Sequence, residues 1–235
     1  MIDRRSPIVS NASDLAARLF AGAAPKVIAL AVADVTGGTE GLFPVEADMV
    51  AGAVDKRRAE FATGRRLARQ ALAECGGPAV AIGRGELGEP IWPKGYVGSI
   101  SHGQGRAVAA VGRSGDCAAI GIDVEGSTPI REGGSRLILR EDEGNWPAAL
   151  PLDPVKLAFS AKEAIGKALS PHHGIRFSFA ALAITVTCDE NGQGGSIVPC
   201  YHHPALIADP VAARLVARWY LDGSHLYCGA WAAPG

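Results

Sequence analysis

The sequence predicts a mixed helix-and-strand protein built as two similar lobes. Two observations carry this. A long helical segment followed by short strand-like runs occurs once in each half of the chain. The length of 235 residues, with 48% hydrophobic and 20% charged, supports one sizeable domain or two small fused halves around a real core. No repeat is visible residue by residue. The join falls near Cys117, giving lobes 1–117 and 118–235.

Taken in order, "KVIALAVADV" reads as a buried strand and "TGGTEGLFP" as loop. Residues 45–75 read as one long helix with Val50, Val54, Phe61, Ala68, Leu72 and Cys75 along its apolar stripe, ended by "GGP" at 76–78. "AVAI" is a short strand, and "GRGELGEPIWPKG" is a Gly- and Pro-rich loop. "YVGSISHG", "RAVAAVG" and "AAIGIDVE" are three short strands. A loose stretch runs over 126–154, and "VKLAFSAKEAIGKALS" is a second helix. "LAITVTC" is a strand and "DENGQGG" a turn. "ARWYLDGSHLYCGAWA" forms a hairpin turning at Asp222-Gly223.

Net charge is −1, so no global basic field exists and nucleic acid is not expected as a main partner. Five cysteines, Cys75, Cys117, Cys188, Cys200 and Cys228, form no CxxC pair. The odd count argues against a disulfide framework or a zinc site, and predicts reduced, mostly buried thiols. The N-terminal stretch has no signal-peptide core, and "VIALAVADV" is too short to span a bilayer. The expectation is a soluble, cytoplasmic protein without a membrane span.

The chemistry concentrates in two short stretches. "AIGIDVEG" places Asp123 and Glu125 two residues apart in a strand, so both side chains share one face. In "FSAKEAIGKAL", Glu163 and Lys167 stand at i and i+4 on one helix face. Taken singly, these are also the patterns of a strand exposed on one side and of an ordinary surface ion pair. Taken together, three carboxylates look like hard oxygen ligands for Mg²⁺, with Mn²⁺ as a substitute, and the lysine would bind a phosphate held by the same ion.

"GIDVE" followed by "FSAKEAIGK" resembles the paired signatures of the 4′-phosphopantetheinyl transferases. "LFPVEADMV", "KRRAEFATGRRLAR" and "GELGEPIWPKGYVGSISH" are similar to the Sfp-type branch, especially its enterobactin-synthetase component D subgroup. The matches run in the family's order over 42–169. Members of that subgroup often carry an aromatic residue just before the motif lysine, where this chain has Gly166. The resemblance implies an α+β fold of two similar lobes related by pseudo-two-fold symmetry, with a coenzyme A cleft between them. It implies a Mg²⁺-dependent transfer of the phosphopantetheine arm of coenzyme A to a serine of an apo acyl or peptidyl carrier protein. The other product is adenosine 3′,5′-bisphosphate.

By the same resemblance, Asp123, Glu125 and Glu163 bind the metal, Glu163 takes the serine proton, and Lys167 steadies the phosphate under attack. Asp123, Glu163 and Lys167 are therefore the expected catalytic residues. Arg58, Arg65 and Arg69 share roughly one helix face, which is either a solvated basic face or a coenzyme A contact. The family pattern assigns Arg65 and Arg66 to coenzyme A, along with Arg84, the backbone of 86–89, Ser101 and His102, the last at the 3′-phosphate. It implies a monomer serving nonribosomal peptide (siderophore), polyketide or fatty acid synthesis.

Three features are set aside. Gly83, Gly85 and Gly88 fit the dinucleotide GxGxxG, but Pro90 and Pro93 preclude the helix that motif needs. Ser101 and His102 point to opposite faces of a strand, so they are no nucleophile–base pair. His172-His173 and His202-His203 read as surface loop residues. Two other functions use the same residues: a Mg²⁺-dependent phosphatase or nucleotide hydrolase, and a non-catalytic coenzyme A- or carrier-binding protein.

Overall fold

Small apolar residues on neighbouring strands give each of the two larger sheets a face that receives a twenty-residue helix. The computed structural model describes residues 12–23, 27–131 and 133–235. Residues 1–11 of the N-terminal stretch, Lys26 of the first strand reading and Glu132 of the loose stretch lie outside the described residues.

The order is α1 (Ala12–Leu19), β1 (Ile28–Asp34), α2 (Pro44–Asp48), α3 (Asp55–Glu74), β2 (Gly83–Arg84), β3 (Pro90–Ile91), β4 (Tyr96–Gly103), β5 (Arg106–Arg113) and β6 (Ala119–Gly126). It continues with α4 (Ser135–Ile138), α5 (Pro154–His173), β7 (Leu182–Val186), β8 (Gly194–Tyr201), α6 (Pro204–Ile207), β9 (Leu215–Leu221) and β10 (His225–Ala232). The architecture is α+β: β1-β5-β4 form one antiparallel sheet, and β6-β10-β9-β8-β7 form another.

On the first sheet, Leu67, Ala68, Ala71 and Leu72 of α3 pack on Ala31, Ala107, Ala109 and Val111. On the second, Leu157, Ala161, Ala164 and Ile165 of α5 pack near Ala119, Cys228 and Ala230. A third cluster joins the sheets. Leu15 and Leu19 of α1 lie with Leu30, Val108, Ile120, Ile122, Val124 and Trp231. The strands β4 and β6 therefore lie against each other, which brings "SISH" to "GIDVE".

Several sequence expectations need correction. The helix read over 45–75 is two helices. Val54 is extended (φ −65°, ψ 155°) and 74% exposed, so it leaves the apolar stripe, and Gly52 nearby does nothing to hold a helix together. "AVAI" at 79–82 is irregular, and the strand begins one residue later as the two-residue pairing of β2 with β3. β8 was not foreseen, because its two glycines and Pro199 disguise an edge of the strand pattern. His172 and His173 close the last turn of α5 rather than sitting in a loop, and His173 Nε2 lies 2.8 Å from the buried Asp209. All five cysteines are free, yet only Cys117 and Cys228 are buried and Cys200 is exposed. The remaining strands, the second helix and the Asp222-Gly223 hairpin stand as read. After Gly88 the chain enters β3, not a helix. Among the described residues no helix is long and apolar enough to cross a membrane.

Candidate active site

The helix α5 starts where its sequence says it should. Asp153 accepts hydrogen bonds from the Val155 and Lys156 amides (2.7 and 3.3 Å), and Pro154 occupies the first turn. Its polar face then carries Lys156, Ser160, Glu163 and Lys167, at steps of four, three and four residues. Gly121 lets this face approach β6: a Cβ there would sit 1.9 Å from the Ala164 carbonyl oxygen. Ile120, Ile122 and Val124 turn to the cluster between the sheets. Gly121, Asp123 and Glu125 turn to α5.

Asp123 is the hub. It is 3% exposed. Its Oδ1 accepts from Lys167 Nζ (2.6 Å) and Ser101 Oγ (2.8 Å), and its Oδ2 accepts from Ser160 Oγ (2.8 Å). Lys167 also donates to Ser101 Oγ at 3.0 Å. Glu125 Oε2 accepts from Lys156 Nζ at 3.3 Å. Glu163 makes no hydrogen bond or ion pair among the described residues. Burial pushes the Glu163 carboxyl above its ordinary range, against the pull of Lys167, and the Asp123 charge adds to the rise. Burial, then Asp123, raises Glu125 likewise, and Lys156 opposes.

The donor set suits a hard divalent cation, since three carboxylates line one cavity and burial raises the pKa of two of them despite the nearby lysines. The geometry is that of a lysine-held site. Among the described residues no three His, Cys, Asp or Glu side chains are gathered around one metal-sized point. A cation on Asp123 Oδ1 and the Lys167 ammonium would compete for the same oxygen.

Two cavities meet here. A small one of about 260 Å³ is lined by Ser101, His102, Asp123, Glu125, Phe159, Glu163 and Lys167. A cleft of about 810 Å³ lies between the β2–β3 hairpin with β4 on one side and α5 with the following segment on the other. Glu163 and Lys167 line both cavities.

The strand β4 contributes His102 to the small cavity. As the strand alternation requires, Ser101 faces Asp123 and His102 faces α3. His102 Nε2 accepts from Arg57 Nη1, and its Nδ1 lies 3.4 Å from Glu60 Oε2. Nε2 must be unprotonated to accept. Burial lowers the His102 pKa, Glu60 opposes that, and Arg57 and Lys167 reinforce it.

The other predicted cations are dispersed. Arg65 is buried, donating to the carbonyls of Ile82 (2.9 Å) and Gly83 (3.1 Å), and burial lowers its pKa to about 10. Arg66 donates to the Glu40 carbonyl, Thr36 and Thr63, each at 3.0 Å. Arg69 binds the buried Glu46, and Arg58 pairs with Asp55. Arg84 reaches to the turn at Gly88, where Arg176 arrives from the segment after α5 and donates to the Leu87 carbonyl.

The profile of the 4′-phosphopantetheinyl transferase N-terminal domain matches residues 45–112, and that of the 4′-phosphopantetheinyl transferase superfamily matches residues 119–207. The chain is 40% identical over 168 residues to 4′-phosphopantetheinyl transferase Npt of Nocardia iowensis, covering 70% of this chain and 74% of that one. It is 35% identical over 199 residues to PptT of Mycobacterium tuberculosis, covering 82% and 88%. The chain belongs to the 4′-phosphopantetheinyl transferases. Enterobactin synthase component D of Salmonella typhi is 37% identical over 133 residues, covering 52% of this chain and 53% of that one.

As a phosphopantetheinyl transferase, the protein moves the 4′-phosphopantetheine arm of coenzyme A onto a carrier protein. The structure gathers Ser101, His102, Asp123, Glu125, Glu163 and Lys167 around one cavity. It leaves Arg58, Arg66 and Arg84 elsewhere, and it holds Arg65 by backbone carbonyls. Sequence reasoning missed Lys156 and Ser160, although their helical phase with Glu163 was visible. It also missed Arg57 and Glu60, which share a face of α3 one residue away from the face that was read.

Proposed function

We propose that Asp123, Glu125 and Glu163 hold Mg²⁺ or Mn²⁺ in this transferase, and that Glu163 and Lys167 act on the reacting phosphate. The supporting observation is that Glu163 and Lys167 line both cavities, so that a coenzyme A with its reacting phosphate beside them would extend one half into each. A bound cation would neutralise pyrophosphate charge. The protein's own groups do the rest. Lys167 donates to the oxygens of the phosphate under attack, and Asp123 and Ser101 aim its ammonium. Glu163, half-buried and without a hydrogen bond among the described residues, has the raised proton affinity that suits a base for the carrier serine. His102, with Arg57 beside it, binds the nucleotide end at the 3′-phosphate. Arg84 contacts the arm or phosphates at the cleft rim, with the 86–89 backbone. Arg65 and Arg66 hold the walls of the nucleotide site, and Arg58 contributes least.

The lobes 1–117 and 118–235 would supply opposite sides of the cleft within one chain, so a monomer suffices. Likeness to enterobactin synthase component D favours siderophore carriers, with polyketide or fatty acid carriers as the alternatives, in the cytoplasm where coenzyme A is available.

The test incubates the protein with coenzyme A, Mg²⁺ and a panel of apo carrier proteins, and reads intact mass. A phosphopantetheine gain that disappears on chelation and returns with Mg²⁺ or Mn²⁺ is expected. Adenosine bisphosphate released without any carrier would mean a hydrolase. Coenzyme A binding with no turnover would mean a binding protein. Full transfer in excess chelator would sink the metal assignment.

A further inference from the structure

The helix α3 and the strand β4 approach closely where Gly64 faces Ile100: a Cβ on Gly64 would stand 2.9 Å from Ile100 Cγ2. One turn earlier on α3 is Glu60, and two residues further along β4, on the same face as Ile100, is His102. The close approach therefore brings a carboxylate to an imidazole that lines the small cavity. Arg57, three residues before Glu60, reaches the same ring. The two helix residues meet it at different nitrogens. Arg57 Nη1 donates to Nε2, and Glu60 Oε2 lies 3.4 Å from Nδ1.

Glu60 is a costly residue in this place. Its side chain is 13% exposed, and it stands beside the ring assigned to the 3′-phosphate, where its negative charge opposes an anion. Its other partner is Lys56 at 3.9 Å, an exposed i, i+4 pair that gives no reason to bury a carboxylate. The ring supplies the reason. Burial favours neutral His102, with Arg57 and Lys167 acting the same way and Glu60 opposing them. A neutral imidazole has one donor nitrogen and one acceptor nitrogen. Nε2 accepts from Arg57, so the proton is on Nδ1, the nitrogen nearest Glu60. A histidine ring in water favours the other tautomer, with its proton on Nε2, and that would set donor against donor at Arg57.

We propose that Glu60 is a positioning residue for coenzyme A: it keeps the His102 proton on Nδ1, and the lone pair on Nε2 then anchors the Arg57 guanidinium with its remaining N–H donors directed at the 3′-phosphate. This rests on the reading that His102 and Arg57 bind that phosphate. Glu60 itself touches no substrate. It acts through the ring, since the hydrogen bond at one imidazole nitrogen decides what the other can do. Arg57 is exposed, and a long exposed side chain spreads over many rotamers unless something holds it. His102 holds it, and Glu60 holds His102. The gain is in recognition and not in the chemical step, because the phosphorus under attack lies toward Glu163 and Lys167.

The test measures KM and kcat for coenzyme A and for dephospho-coenzyme A, with Mg²⁺ and an apo carrier, in Glu60→Ala, Glu60→Gln and His102→Ala. Nitrogen NMR of the histidine rings reads the tautomers, the His102 signal being identified by its loss in His102→Ala. Glu60→Ala is expected to raise KM for coenzyme A by about fivefold, the scale of one hydrogen bond, with kcat little changed and KM for dephospho-coenzyme A near the parent's. The His102 proton should move from Nδ1 to Nε2. Glu60→Gln keeps an acceptor for the Nδ1 proton and should recover most of the loss in KM and the parent's tautomer. A penalty in His102→Ala that depends on the 3′-phosphate, with none in Glu60→Ala, would overturn the proposal alone. So would a proton that stays on Nδ1 in Glu60→Ala, or a loss in Glu60→Gln as large as in Glu60→Ala. Equal penalties of His102→Ala on both substrates would overturn the reading of the nucleotide end and this proposal with it.

Discussion

Each of the two twenty-residue helices packs over a buried carboxylate, and the two are held in different ways. Beside α3, Glu46 is fully buried; both its oxygens accept from Arg69 (2.8 and 2.7 Å), and the Ile82 and Phe43 amides complete it. Beside α5, Asp123 is held by an ammonium and two hydroxyls from Lys167, Ser101 and Ser160. Arg69 Nη1, shared by both oxygens while Nη2 donates to the Gly41 carbonyl, and two backbone amides are fixed partners that hold the carboxylate in one orientation. An ammonium on a flexible stem and rotatable hydroxyls can be exchanged for substrate or ion. Asp123 also lines a cavity, and Glu46 lines neither of the two described above. A buried carboxylate is framework beside α3 and part of the site beside α5.

The largest expected effect breaks the framework side. Arg69→Ala leaves Glu46 buried without its counter-charge, and removing one partner of a buried pair costs about 3–5 kcal/mol. Denaturant unfolding should show a loss near the lower end, because Arg69 itself is partly exposed, while the folded fraction keeps its kcat. A loss under about 1 kcal/mol, the surface-pair range, would erase the contrast.

The site side should break the other way. Lys167→Ala is expected to lower kcat by about 10²–10³, the scale for losing one preorganised donor to developing charge, and Glu163→Gln to lower it further. Single-turnover rates at saturating coenzyme A and carrier measure this. An unchanged rate would return "KEAIGK" to an ordinary helix face.

The difference between the two helix-covered carboxylates also explains what the sequence made legible. Asp123, Glu125, Glu163 and Lys167 were readable because strand and helix periods fix which side chains share a face, and Gly121 brings those faces together. The partners of Arg65 carry no such mark. They are backbone carbonyls 17 and 18 residues away, where a segment that looks like a strand and is not one runs into β2. A guanidinium reads as a ligand-binding group until the fold shows what already occupies it. The broken helix at 49–54 hid for a related reason: Val50 is buried and Val54 is exposed, so the stripe continued in sequence where it stops in space.

A third measurement sharpens the comparison through pH, in metal-free buffer. Glu163 holds its proton more tightly folded than unfolded, because burial and Asp123 outweigh Lys167. Its contribution is therefore favourable below the unfolded value of 4.5 and is lost as pH rises through the higher folded value. Glu163→Gln removes that loss. The variant should be more stable than the parent at pH 7, with the gap closing as pH falls through 4.5. Glu46→Gln should be less stable at pH 7, because it loses the charge that Arg69 pairs with. Thermal melts of both variants over pH 4–8 decide it, and two shifts of the same sign would contradict the division into framework and site.

The smallest effects come from two neighbouring arginines on α3. Arg58 pairs only with the exposed Asp55 three residues earlier, an arrangement that contributes about 0–1 kcal/mol. Arg57 turns to His102 at the small cavity. Arg57→Ala should raise KM for coenzyme A by about tenfold, equivalent to ~1.4 kcal/mol and near the low end for one charged hydrogen bond, with kcat little changed. Arg58→Ala should leave both constants near the parent's. If Arg57 and His102 grip the 3′-phosphate, the Arg57→Ala penalty should shrink with dephospho-coenzyme A, which lacks that group. Equal penalties on both substrates would move the contact to another part of the nucleotide. Equal behaviour of the two arginine variants would mean that neither position on this first turn of α3 recognises substrate.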